Sequence, residues 1–179
     1  MKTKILTLLS MAVFSLSACS YNKKPVESVN HSSHSIHKIS SPQQYIEHMI
    51  PHHQEAVQSS EYVITRTDNQ QLKLLLSKVI TNQNKEIAIM KQWLQDWYNI
   101  DYQNNFQYTQ MMGDLTKFQG KELDNTYIKD MIVHHQAALD ISKSLLEIEG
   151  VPKELQSMSK NIIQTQTKEI QELNSLIKN

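Results

Sequence analysis

The chain has 179 residues, with 18 Lys plus Arg balanced by 18 Asp plus Glu, only 3 Gly, 4 Pro and 1 Cys, and 8 His with 8 Met. That length supports one domain with a real core, and the scarcity of Gly and Pro argues for helices over a turn-rich β fold. One Cys excludes a disulfide framework or a thiolate cluster, and a neutral balance without a long basic run gives no electrostatic ground for nucleic acid as a partner.

At the start of the chain, Lys2 and Lys4 precede an apolar run from Ile5 to Ala18. A charged start before so short an apolar run is a secretory signal, too short for a normal membrane span. Leu16-Ser17-Ala18-Cys19 resembles a bacterial lipobox, which predicts cleavage after residue 18 and a lipid on Cys19. The membrane is then a partner through that lipid alone, and no free thiol is left. Ser20, rather than Asp, after the anchor favours the outer membrane by similarity to enterobacterial sorting, so the expected location is the cell envelope, facing the periplasm. Loss of Lys2 and Lys4 leaves the mature chain mildly acidic. Residues 19–40 are polar and read as a disordered tether. His31, His34 and His37 recur there every third residue, either as an auxiliary metal-capturing cluster or as ordinary tether residues.

From residue 41 onward the sequence repeats itself. Tyr45-Ile46-Glu47-His48-Met49-Ile50-Pro51-His52-His53-Gln54-Glu55-Ala56 aligns with Tyr127-Ile128-Lys129-Asp130-Met131-Ile132-Val133-His134-His135-Gln136-Ala137-Ala138, an offset of 82. Val79-Ile80, Gln83, Glu86-Ile87 and Met90 then align with Ile162-Ile163, Gln166, Glu169-Ile170 and Leu173, one residue further on. Each copy is a pair of segments, and helices are expected at 42–66, 69–98, 121–149 and 152–177, with a polar connector over 99–120. Ser41-Pro42 with Gln44 predicts a helix start, Asp68 with Gln71 a second, and Gly150 with Pro152 a stop and restart. Pro51 falls inside the first helix and predicts a kink beside His52. The expected fold is all-α: a four-helix bundle of two repeated antiparallel hairpins, about 42–98 and 121–177, in a 41–179 domain.

Helical spacing places polar residues on the faces that should be dry: His52 on the first helix, Gln83 and Glu86 on the second, His134 on the third, Gln166 and Glu169 on the fourth, with Met49, Met90 and Met131 on the same stripes. Burying them unpaired costs several kcal/mol. One explanation is a structural layer in which Gln and Glu hydrogen-bond His across helices. The other is a metal site, since each copy brings two adjacent His with a Met one turn before them. Imidazole is the commonest neutral metal ligand and thioether is a soft one, which points to copper as Cu(I) or Cu(II), with zinc and iron as alternatives. Glu86 and Glu169 either ligate or orient imidazoles. Adjacent His diverge by about 100° around a helix, so one of each pair faces the bundle and the other a seam or the surface. Met111 and Met112 in the connector either donate thioethers or pack the loop down. A di-metal oxidase wants Glu-x-x-His on two helices, and that pattern is absent from the sequence. No nucleophile constellation or Gly-x-Ser-x-Gly turn is present either, so the expectation is binding without catalysis.

The twice-used Met-Ile-x-His-His-Gln, followed by Gln-x-x-Glu-Ile, resembles a bacterial family known as domain of unknown function 305. The resemblance covers residues 42–177 and implies a duplicated helical hairpin of ferritin-like architecture. Some members are periplasmic copper-binding proteins, so it further implies copper buffering, resistance or transfer, with Met49, His52, His53, Met131, His134 and His135 as the matching positions. The family often has Met-Met before the motif where this chain has His48-Met49 and Asp130-Met131. Fewer thioethers weaken a preference for Cu(I), and His48 stands where one would be.

Overall fold

The computed structural model describes residues 39–103 and 108–177. Four helices fill it: α1 (Pro42–Ile64), α2 (Gln70–Tyr98), α3 (Gly120–Leu146) and α4 (Lys153–Ile177), with one short 3-10 turn at Leu115–Lys117 in the connector. The fold is the all-α four-helix bundle expected. Cys19, the segment before it, and His31, His34 and His37 lie outside the described residues. No helix among the described residues is long and apolar enough to cross a membrane.

Helix ends follow local chemistry, with corrections to the expected boundaries. Ser41 Oγ accepts from the Gln44 amide at 3.2 Å and Pro42 occupies the first turn, as its missing donor allows. Gln44 does not close a capping box on Ser41; its side-chain oxygen accepts instead from the Ser40 amide and hydroxyl, both at 2.8 Å. α1 ends at Ile64, two residues early, because the Val63 carbonyl takes both the Arg66 and Thr67 amides. Asn69, not Asp68, caps α2: its Oδ1 accepts from Gln71 and Leu72 at 3.0 and 3.1 Å. Asn99 closes α2 in the left-handed conformation (φ 54°), with Ile100 bonded back to Leu94 and Asn99 to Gln95, a Schellman-type end. α3 starts at Gly120 and stops at Leu146, and Gly150 turns the chain at φ 75°. α1 runs unbroken through Pro51.

Two apolar clusters make up the core. One joins the start of α1 (Tyr45, Ile46, Met49) to the ends of α2 and α3 and the start of α4 (Met90, Leu94, Leu145, Leu155). The other joins the opposite helix ends, among them Val63, Leu72, Leu76, Leu123, Met131 and Leu173. α1 is therefore antiparallel to α2 and α3, and α4 to α3 and α2. The connector must travel from one end of the bundle to the other, crossing its waist. The repeats are stitched reciprocally: Tyr45 Oη lies 3.0 Å from Ser142 Oγ, and Tyr127 Oη 2.8 Å from Ser60 Oγ. Ser60 donates to the Ala56 carbonyl, so Tyr127 is the donor in its pair.

Candidate metal centre

Between the two apolar clusters lies a polar layer to which every helix contributes. His52 and His53 come from the middle of α1, Gln83 and Glu86 from α2, His134 and His135 from α3, Gln166 and Glu169 from α4. All four His are buried, His52 at 2 % exposure and the others at 0 %. The adjacent residues do diverge, but the second of each pair turns toward a helix seam and not to the surface. His52 and His134 face one another across α1 and α3, ring centroids 3.7 Å apart and planes 33° apart. His53 Nε2 meets Glu86 Oε2 at 2.9 Å, and His135 Nε2 meets Glu169 Oε2 at the same distance. The repeat in the sequence has become a pseudo-twofold repeat in the site. Glu86 also lines a groove of about 560 Å³ between α2 and α4, beside Ile89, Trp93 and Met158, which gives this edge of the layer a path to solvent.

Burial controls the charges. It pushes the imidazole of His52 well below its ordinary value, with His134, His53 and His135 adding to the effect. Burial, opposed by Glu55, also lowers His134, and burial together with His53 takes His135 down to about 3. Glu169 is pushed up to about 7 by burial and by Glu86. At neutral pH these three imidazoles are unprotonated, the form that binds metal.

The layer is not self-satisfied. Of eleven buried side-chain nitrogens and oxygens without a hydrogen-bond partner among the described residues, ten belong to it. They include both ring nitrogens of His52, His134 and His135, Nδ1 of His53, both amide atoms of Gln83 and Oε1 of Gln166. The His135–Glu169 contact is short but off-line for a hydrogen bond. Native proteins pair the large majority of their buried polar groups, so such a concentration in one layer marks a place for a ligand. Neutral imidazoles fit a copper ion. Among the described residues no three His, Cys, Asp or Glu side chains are gathered as a ready metal cage. The donors stand in pairs, which suits a cation content with few ligands better than the four-coordinate cage of structural zinc.

The other expected residues are distributed as follows. Met49 and Met90 are buried in one apolar cluster and Met131 in the other, on either side of the layer. His48 is half-buried on α1. Met111 and Met112 are half-buried, and their backbone amides reach the site.

Those amides bond to Glu55, a residue the sequence reading passed over, as it did Tyr108. Glu55 is buried; its Oε1 accepts from Met111 and Met112, each at 2.9 Å, and its Oε2 from Tyr108 Oη at 2.6 Å. Oε2 also lies 3.3 Å from His134 Nε2. Burial opposes the charge of Glu55, but His134, Tyr108 and the Met112 amide prevail and hold its carboxyl below the usual range. Tyr108 stands edge-on to His52, centroids 6.1 Å apart. The available signal was Glu55 one turn after His52, on the same face.

A family model described as a domain of unknown function (DUF305) matches residues 42–177. No curated protein matches the chain. Among solved structures, CopM in its Cu(I)-bound form is 29 % identical, with a TM-score of 0.70 over 79 % of this chain and 98 % of CopM. CopM in its Cu(II)-bound form is 30 % identical, with a TM-score of 0.68 over 76 % of this chain and 95 % of CopM. A DUF305 protein of Streptomyces coelicolor shares the fold at 22 % identity, with a TM-score of 0.65 over 74 % of this chain and 88 % of that one.

Proposed function

The chain belongs to the DUF305 family, and on that premise we propose that it is a non-enzymatic copper-binding lipoprotein of the cell envelope. Cys19 carries the lipid, and the bundle buffers copper or passes it on. The observation that supports this reading is the row of imidazole nitrogens on His52 and His134 that form no hydrogen bond among the described residues, buried and held neutral at the centre of the bundle. Copper is the favoured ion because the donors are imidazoles with buried methionines one turn away, and because CopM, a relative of similar fold, is known with copper bound. His52 and His134 are the ligands on this reading, and His53 and His135 join them or support them through Glu86 and Glu169. The thioethers of Met49 and Met131 are within one helical turn of the imidazoles and supply the soft donors.

Exposing the purified protein, without a His tag, to equal amounts of Cu(I), Cu(II), Zn(II) and Fe(II), then desalting it and measuring its metal content, tests the reading. Copper retained above zinc and iron is expected. Preferential retention of zinc or iron contradicts it, and oxygen consumption by an iron-loaded form restores the di-metal oxidase.

A further inference from the structure

Glu55 breaks the symmetry of the duplicated layer. His52 has its equal in His134, His53 in His135, Gln83 in Gln166 and Glu86 in Glu169, but the residue matching Glu55 is Ala137. The connector spends three donors on this one carboxylate: the Tyr108 hydroxyl and the amides of Met111 and Met112. Those bonds fix it from outside and leave its inner edge against His134, 3.3 Å away. Among the described residues no Lys or Arg forms an ion pair with it, so the three connector donors are what hold it in place. A buried carboxylate is stable only where something of opposite charge or several donors compensate it.

We propose that Glu55 sets the oxidation-state preference of the copper site, biasing it toward Cu(II). This rests on the copper reading above. The imidazoles and thioethers are neutral, and thioether is the donor type that favours Cu(I). A fixed negative oxygen beside His134 adds an attraction that grows with the charge on the ion, so it stabilises Cu(II) more than Cu(I). The asymmetry gives the pseudo-twofold site one anionic side, and the connector holds that side in place.

The test is the ratio of Cu(I) to Cu(II) affinity, by competition titration of each oxidation state, together with the reduction potential of the bound copper. Measurements are made on the wild-type protein and on Glu55→Gln, Tyr108→Phe and Glu55→Asp. Glu55→Gln keeps the shape and removes the charge. It is expected to weaken Cu(II) relative to Cu(I) by about tenfold or more, the scale seen when groups supporting metal ligands are lost. For a one-electron couple a tenfold change raises the potential by about 59 mV. Tyr108→Phe removes a donor that draws charge from Oε2, so the ratio moves the opposite way. Glu55→Asp keeps the charge and the bias, which preserves the test if the Gln variant folds poorly. An unchanged ratio in Glu55→Gln, movement of Glu55→Gln and Tyr108→Phe in the same direction, or loss of the bias in Glu55→Asp overturns the proposal while leaving copper binding intact. If the wild-type protein binds neither oxidation state, the copper reading falls and this proposal with it.

Discussion

Gln83 is a costly residue: it is buried, and neither of its amide atoms is hydrogen-bonded among the described residues. A buried polar group left without partners costs about 1–3 kcal/mol, so Gln83→Met, which keeps the volume and removes the amide, should stabilise the metal-free protein by about 1 kcal/mol in chemical denaturation. A loss of stability would show that the layer is satisfied in solution and serves the fold. The tyrosine–serine stitches work in the other direction. Tyr127→Phe removes the donor to Ser60 and should cost about 1 kcal/mol, with no effect on copper affinity. At this scale the sequence was informative about the imidazoles, because paired His twice at one spacing is a rare pattern. Glu55 and Tyr108 were hidden: one has no counterpart in the repeat, and the other reaches the site from a connector whose path no periodicity describes. The stitches were readable in principle, since Ser60 and Ser142 share the offset of Tyr45 and Tyr127.

Among the helices, the ends carry the clearest energetic claim. Asp68 and Asn69 are both good caps, and neighbouring candidates of equal propensity cannot be ranked by composition. The structure selects Asn69, whose Oδ1 serves two amides while Thr67, tied to Asp124 at 2.9 Å, accepts from the Asn69 amide at 3.0 Å. Asn69→Ala should therefore lower stability by about 1 kcal/mol and Asp68→Ala by much less, measured by denaturant titration. A larger loss in Asp68→Ala than in Asn69→Ala would return the cap to Asp68. Helix type and order were legible because the apolar stripes run long at a 3.6-residue period. The ends were less so, since a single carbonyl, such as that of Val63 taking two amides, decides where a helix stops. The connector was legible only as polar sequence. Its role follows from topology: α2 ends and α3 begins at opposite ends of the bundle, so the chain between them passes the waist, where Glu55 holds it. Gly113 fits that passage closely, its amide 3.0 Å from Asp130 Oδ2, and a Cβ there would lie 3.1 Å from the same oxygen.

For the molecule as a whole, burying neutral imidazoles makes stability depend on pH. The folded-state values of His52, His134 and His135 are lowered, whereas in the unfolded chain they take protons near pH 6.5. Their contribution is complete above that pH and lost as pH falls toward the folded values. Glu169 acts in reverse: raised to about 7, its contribution is present at low pH and lost as pH rises through that value. Below about pH 6.5 three histidines outweigh one carboxyl, the unfolded chain holds more protons, and stability falls. The melting temperature of the metal-free protein should drop between pH 7 and 5, and a flat or rising profile would mean that the imidazoles are solvated. Copper, binding the folded form, should raise the melting temperature in proportion to its excess over the dissociation constant.

The central claim is that the paired imidazoles at the waist hold the copper. Its most direct test is chelator-competition titration of copper, in each oxidation state, into the wild-type protein and the His52→Ala, His134→Ala double variant. The account predicts tight binding by the wild type and its loss in the double variant, with circular dichroism confirming that the helices persist. Full copper affinity in a folded double variant would contradict it.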